Sequence, residues 1–238
     1  MEKIKNKIYV GYDSREVVAY QICEYSLLKM SSNNLNVVPL IQQELRQNKV
    51  YTRNIDPLSS TEFTFTRFLI PHLTNYSGWV LFCDCDFLWL TDANELFNLV
   101  NNDYAVMVVK HDYKPHNSIK MDNQVQTIYP RKNWSSLILW NCSHPSNKHL
   151  TLDVVNNSTG QYLHQFQWLK DEEIGALSYE WNWLVGWNMF GTPKALHYTE
   201  GGPYFVKYFN CQYAELWKSM YKDMFGCDFL IQNCVDYK

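Results

Sequence analysis

Eleven consecutive residues, Val80-Leu81-Phe82-Cys83-Asp84-Cys85-Asp86-Phe87-Leu88-Trp89-Leu90, hold two carboxylates inside an otherwise apolar run. A run of this kind, without Gly or Pro, reads as a strand buried on both faces of a sheet. Side chains alternate along a strand, so the spacing predicts that Asp84 and Asp86 share one face, about 7 Å apart. Two ionised carboxylates there repel each other, and each resists desolvation unless positive charge sits between them. A hard divalent cation, Mn²⁺ or Mg²⁺, meets that need and keeps coordination positions for water and phosphate. The structural alternative makes one aspartate a strand-end cap and the other a partner for Arg67.

A chain of 238 residues fits one α/β domain. Its 46% apolar content can fill such a core, and 19% charged residues exclude a disordered tail as the main theme. A net charge of −3 without a local Lys/Arg cluster excludes a nucleic-acid partner. Seven cysteines without regular spacing read as small buried hydrophobes in a reducing compartment. Cys83 and Cys85 are expected to point away from the acidic face, which argues against a thiolate zinc site. No signal peptide or membrane span is legible, so a cytoplasmic location is expected. The Asn-x-Ser/Thr triplets at Asn75, Asn133, Asn141 and Asn157 then carry no meaning for glycosylation.

Lys7–Tyr12 reads as a first strand, followed by a helix over Arg15–Met30 with Ser14 as N-cap and a stripe of Val18, Ile22, Tyr25 and Leu28. Asn36–Ile41 reads as a strand and Gln42–Ser60 as a polar surface excursion. Thr61–Leu73 is expected to be helical, and a short helix is expected after Thr91-Asp92, before a strand at Tyr104–Lys110. In the second half, Ser135–Trp140 and Lys194–Thr199 read as strands, His111–Pro130 as a loop or hairpin, and Tyr213–Phe225 as an amphipathic closing helix. Strands separated by helices predict a mostly parallel central sheet flanked by helices, with a smaller mixed region in the C-terminal half. Ligands bind beyond the carboxyl ends of such strands, where Asp13 and the Asp84/Asp86 pair both fall.

These blocks resemble the family 8 glycosyltransferases and their relatives of the Rossmann-like GT-A fold, between about Lys7 and Phe205. Ile8-Tyr9-Val10-Gly11-Tyr12-Asp13 is similar to the family's first strand, which implies that Asp13 meets the uracil and that Tyr12 and Arg15 line the donor. Thr64-Phe65-Thr66-Arg67-Phe68-Leu69-Ile70-Pro71 is similar to a helix whose Arg holds the donor sugar, implying that role for Arg67. Asp84 and Asp86, with Cys85 between them, match the Asp-x-Asp metal pair. Asp171-Glu172 stands where an Asp-Gln pair touches the transferred sugar, and His197 opens a block in which the family's His is the third metal ligand. Two carboxylates and one imidazole suit Mn²⁺. The resemblance implies residues 1–110 as a nucleotide-binding half and 111–238 as a sugar and acceptor half.

Three departures concern the sugar and acceptor side. The family's phosphate-binding Lys is replaced at Gly201-Gly202-Pro203, which leaves Lys207, Arg15 or the glycine amides for the phosphates. Trp134-Ser135-Ser136 replaces a sugar-lining Asn-Ala-Gly, and Glu172 replaces Gln. The opening Tyr12-Asp13-Ser14-Arg15-Glu16 suggests a viral or bacterial offshoot. The implied activity is metal-dependent sugar transfer from a UDP-sugar to a glycan or other hydroxyl acceptor, with retention favoured. Inversion would require a general base, for which Asp171, Glu172 and Glu200 are the candidates. Trp181 and Trp183 read either as an acceptor platform or as core, and Asn182 as a sugar contact or a buried amide. The rival readings are a sugar nucleotidylyltransferase, against which the Gly-poor first loop speaks, and a nucleotide-sugar-binding module without turnover.

Overall fold

The computed structural model describes residues 6–54, 59–111 and 131–235. The first half runs β1 (Asn6–Gly11), α1 (Val17–Met30), β2 (Leu35–Leu40), α2 (Gln42–Gln47), α3 (Ile70–Leu73), β3 (Trp79–Cys83), β4 (Phe87–Trp89), α4 (Asn94–Phe97) and β5 (Val106–Val108). The second runs β6 (Leu137–Asn141), α5 (Leu152–Asn157), α6 (Gly160–His164), β7 (Ile174–Ala176), β8 (Trp183–Leu184), β9 (Ala195–His197) and α7 (Ala214–Phe225). The expected loop or hairpin over His111–Pro130 lies, beyond His111, outside the described residues. Among the described residues no helix is long and apolar enough to cross a membrane.

Six strands form the main sheet in the order β2-β1-β3-β6-β5-β7. β6 runs antiparallel to both its neighbours, while the other pairings are parallel. Every residue of β6 is buried, as is β3 beyond Trp79, because the centre of a sheet covered on both faces has no solvent side. A second, three-stranded sheet has the order β4-β9-β8. Neither sheet is confined to one side of residue 110, since β5 and β7 are neighbours in one and β4 and β9 in the other.

The apolar run is therefore not one strand. It breaks at Asp84-Cys85-Asp86, and its two ends belong to different sheets. Continuous apolarity conceals the break because both segments are core. The two carboxylates stand on a turn rather than along one face of a ladder.

α1 also departs from the one-stripe expectation. Tyr20, Cys23 and Leu27 pack into the core of the main sheet, while Ala19 and Ile22 pack into a second cluster with Leu88, Leu196, Trp183 and Trp217. A helix wedged between two cores is apolar on two sides, and Leu28 of the predicted stripe is 49% exposed. Glu16, not Ser14, precedes the helix at the N-cap, and Ser14 Oγ bonds to Glu62 instead. The predicted helix over Thr61–Leu73 is a 3₁₀ turn at Thr66–Leu69 running into α3, where Pro71 stands in the first turn and needs no N–H partner. The polar excursion after β2 begins with α2 and sends Tyr51 into the core.

Candidate metal and donor site

Two backbone hydrogen bonds fix the acidic turn. The Asp84 N–H donates to the Ser136 carbonyl, just before β6, at 3.0 Å. The Tyr198 N–H donates to the Asp86 carbonyl, just after β9, also at 3.0 Å. Asp84 is thereby anchored to the main sheet and Asp86 to the small one. His197, the last residue of β9, lies opposite Phe87 in register, and its ring stacks on Phe87 at 4.6 Å between centroids. Asp84, Asp86 and His197 each offer one ligand atom, all within 4.8 Å of one another.

Arg67 is buried beside this group. Its Nη1 lies 2.7 Å from Asp84 Oδ1 and donates to the Ser135 carbonyl at 2.7 Å, while Nε donates to the Phe63 carbonyl at 3.3 Å. The guanidinium also lies against the rings of Phe63 and Phe82. Asp84 is thus both a member of the acidic pair and the ion-pair partner of Arg67. Burial raises the Asp84 pKa from 3.8 to about 7; Arg67 opposes the shift and Asp86 adds to it.

Asp86 is differently placed. Its Oδ1 is buried without a hydrogen-bond partner among the described residues, and its Oδ2 lies 3.3 Å from His197 Nε2. His197 Nδ1 is 2.8 Å from Asn182 Oδ1, and Asn182 Nδ2 donates to Ser136 Oγ at 2.9 Å. A ring nitrogen directed at a carboxylate, with its other nitrogen held by an oxygen, is the arrangement of a metal-bound histidine. The orphaned Asp86 oxygen and this donor set fit a divalent cation such as Mn²⁺.

Asp13 sits beyond the carboxyl end of β1 but is wholly buried. It accepts from Arg15 N, Nε and Nη2 and from the Glu62 N–H, at 2.8–3.1 Å. Burial opposes its ionisation, yet the Arg15 bonds and charge outweigh burial and lower its pKa. Asp13 therefore shapes the loop that holds Arg15, which also donates to the Ser60 carbonyl. Tyr12 is half-buried, edge-on to Tyr20, and Cys85 turns its thiol toward Glu16 Oε2 at 3.9 Å.

The expected sugar contacts Asp171 and Glu172 lie on a 3₁₀ turn at Asp171–Glu173. They precede the amino end of β7, whereas Asp84 follows the carboxyl end of β3; Val80, Trp140, Val106 and Ile174 share one level across the sheet. Asp171 is exposed and pairs with Arg131. Glu200 is exposed and accepts from Trp187 Nε1 at 3.1 Å.

The glycine and lysine candidates for phosphate contact differ in burial. The Gly201 N–H donates to the Tyr198 carbonyl at 2.7 Å, and Gly202 packs so closely on Tyr204 that a Cβ would lie 2.3 Å from its ring. Lys207 is exposed, over the ring of Tyr208. Trp181 and Trp183 are core residues and not a platform, being 2% and 1% exposed.

Sequence reasoning missed Ser136 and His111. His111 lies three residues after β5, with Nε2 buried and its ring beside Asn182 and His197. Its position at the carboxyl end of a strand was the available signal. Burial lowers its pKa to about 4, and the neighbouring His197 adds to the effect.

No family model matches the chain. Among solved structures, the glycosyltransferase GlyE of Streptococcus pneumoniae TIGR4 superposes with a TM-score of 0.61 at 14% identity, over 91% of this chain and 60% of that one. The bifunctional glycosyltransferase WbbM gives 0.56 at 15%, over 91% of this chain and 49% of its own. The galactosyltransferase LgtC, solved with donor and acceptor sugar analogues, gives 0.57 at 12%, over 91% and 95%. The chain thus spans about half to three fifths of WbbM and GlyE but nearly all of LgtC. These likenesses establish the fold as that of the GT-A glycosyltransferases. At 51% identity over 222 residues, covering 91% of this chain and 86% of its relative, the chain belongs to the family of Protein CDI from Arabidopsis thaliana.

Proposed function

We propose that this protein is a metal-dependent glycosyltransferase that uses a nucleoside-diphosphate sugar, with UDP as the leading nucleotide, and delivers the sugar to a glycan or other hydroxyl acceptor. The observation that carries this reading is the convergence of Asp84, Asp86 and His197 at the carboxyl end of a GT-A sheet, with Asp86 Oδ1 buried and unpartnered among the described residues. Asp84, Asp86 and His197 would hold Mn²⁺ or Mg²⁺. When bound, the cation supplies Lewis-acid stabilisation of the negative charge on the departing diphosphate.

The remaining work falls to the chain itself. Arg67 favours the ionised form of Asp84 against its burial and fixes the backbone before β6, so the ligand geometry is set before the donor arrives. Asp13 orders the loop carrying Arg15 at the mouth of β1. Retention, which the resemblance favours, lets the leaving phosphate oxygen take the acceptor proton; inversion would call on Asp171, Glu172 or Glu200 as general base. Seven unbridged cysteines support a reducing, cytoplasmic setting.

The test is calorimetric titration of UDP, then GDP, with and without Mn²⁺, on wild type and on the Asp84→Ala/Asp86→Ala double variant. Mn²⁺-dependent UDP binding that disappears in the variant supports the reading and leads to screening UDP-sugars by UDP release. Absence of nucleotide binding by the wild type under both conditions overturns it. A binding module without turnover is the second reading, favoured by the closed Arg67–Asp84 ion pair; it predicts UDP binding with no sugar released or transferred.

A further inference from the structure

The polar chain behind His197 has a direction that can be read from its far end. Ser136 Oγ donates its only proton to the Asn133 carbonyl at 2.7 Å. Toward Asn182 it can therefore only accept, so the group facing it at 2.9 Å is the Asn182 amide nitrogen. That orientation turns Asn182 Oδ1 to His197, 2.8 Å from Nδ1. An amide oxygen cannot donate, so Nδ1 carries the imidazole proton. When the ring is neutral, Nε2 turns its lone pair to Asp86, 3.3 Å away. Lone pair against carboxylate is repulsive unless a proton or a metal cation is shared between them.

We propose that Asn182 is a positioning residue for the cation site: it holds His197 as the Nδ1–H tautomer with Nε2 free to ligate, and Ser136 with the Asn133 carbonyl sets the sense of Asn182. Four residues from three places in the chain thus specify one proton position. Asn133 itself has a left-handed backbone, φ 63°, which presents its carbonyl to the Ser136 hydroxyl across a single turn. Both Asn182 and His197 are buried, at 0% and 2% exposure, so water does not scramble the chain. The ligand role of His197 rests on the metal-dependent reading above, whereas the tautomer stands independently of it.

The test combines ¹⁵N-histidine spectra of the metal-free protein at pH 8 with Mn²⁺ titration by calorimetry. Wild type is expected to show a protonated Nδ1 and an unprotonated Nε2 at His197. Asn182→Ala is expected to lose that preference and to bind Mn²⁺ about 10–100-fold more weakly, the usual effect of removing an outer-shell partner. Asn182→Asp, which still accepts from Nδ1–H, is expected to restore affinity to within about threefold of wild type, a rescue that a merely space-filling role would not predict. Ser136→Ala, which keeps both nitrogens in place but frees the amide to turn, covers the case in which Asn182→Ala does not fold; it is expected to shift the tautomer toward Nε2–H. An Nε2–H tautomer in wild type, or unchanged spectra and affinity in both Asn182→Ala and Ser136→Ala, overturns the proposal. The expected tautomer in a wild-type protein that binds neither Mn²⁺ nor Mg²⁺ would overturn the ligand role and the metal-dependent reading together, while leaving the polar chain as described.

Discussion

Arg67 Nη1 lies 2.7 Å from both Asp84 Oδ1 and the Ser135 carbonyl, so one nitrogen ties the acidic turn to the backbone that leads into β6. Removing it leaves a buried carboxylate without its cation. Arg67→Met is expected to destabilise the protein by about 3–5 kcal/mol, and Arg67→Met combined with Asp84→Asn by clearly less. Urea unfolding of the two variants and of wild type measures the difference.

Two buried groups give the metal-free protein opposing pH dependences. Asp84 has its pKa raised from 3.8 to about 7, so the folded state binds the extra proton and stability falls as pH rises through that window. His111 has its pKa lowered from 6.5 to about 4, so the unfolded state binds the extra proton and stability rises with pH between those values. Wild type is expected to be nearly flat between about pH 4 and 6.5 in these two contributions. Asp84→Asn should unmask a rise with pH and His111→Gln a fall, read as melting temperatures in chelator-treated buffer.

Asp86→Asn separates ligation from folding. The unpartnered oxygen and its repulsion with Asp84 are relieved, so the metal-free variant is expected to melt at or slightly above the wild-type temperature. Its Mn²⁺ affinity should drop about 100-fold or more, because an amide oxygen is a poor substitute for a carboxylate. A lower melting temperature with unchanged Mn²⁺ binding would assign Asp86 to structure.

Gly11 closes β1 directly beneath Phe63, where a Cβ would lie 2.5 Å from the ring. Phe63 in turn underlies the Arg67 guanidinium. Gly11→Ala is expected to cost about 1–3 kcal/mol by displacing the ring. It should weaken Mn²⁺ binding as well, since Arg67 and Asp84 move with Phe63; urea unfolding and calorimetry on one preparation report both effects.

Much of the site was legible in the sequence because its chemistry is rare in its surroundings. Two aspartates in an apolar run, and a histidine singled out by the family resemblance, drew attention to the three groups that the fold brings within 4.8 Å. The strands at β1, β2 and β6 followed from period and composition. What stayed hidden depended on partners distant in the chain. The break at Asp84 is invisible because Phe82 and Phe87 are equally buried on either side of it. The two-sided burial of α1 reflects a second core built from Leu88, Leu196 and Trp217, which no local period encodes. Asp171 stood out by type and chain order, but its ion pair with Arg131 had no local signature. Asn182, flanked by Trp181 and Trp183, gave no local sign that its amide serves a histidine fifteen positions later.

The split of the apolar run between two sheets has a mechanical consequence. Asp84 is hung from the main sheet, Asp86 and His197 from the small one, so anything gripping all three would act as a rivet across the seam. Leu88 and Leu196 of the small sheet pack in one cluster with Trp217 of α7, a contact through which such a rivet would steady that helix. Amide exchange in the last helix of the chain therefore becomes a gauge of occupancy at a centre it does not touch.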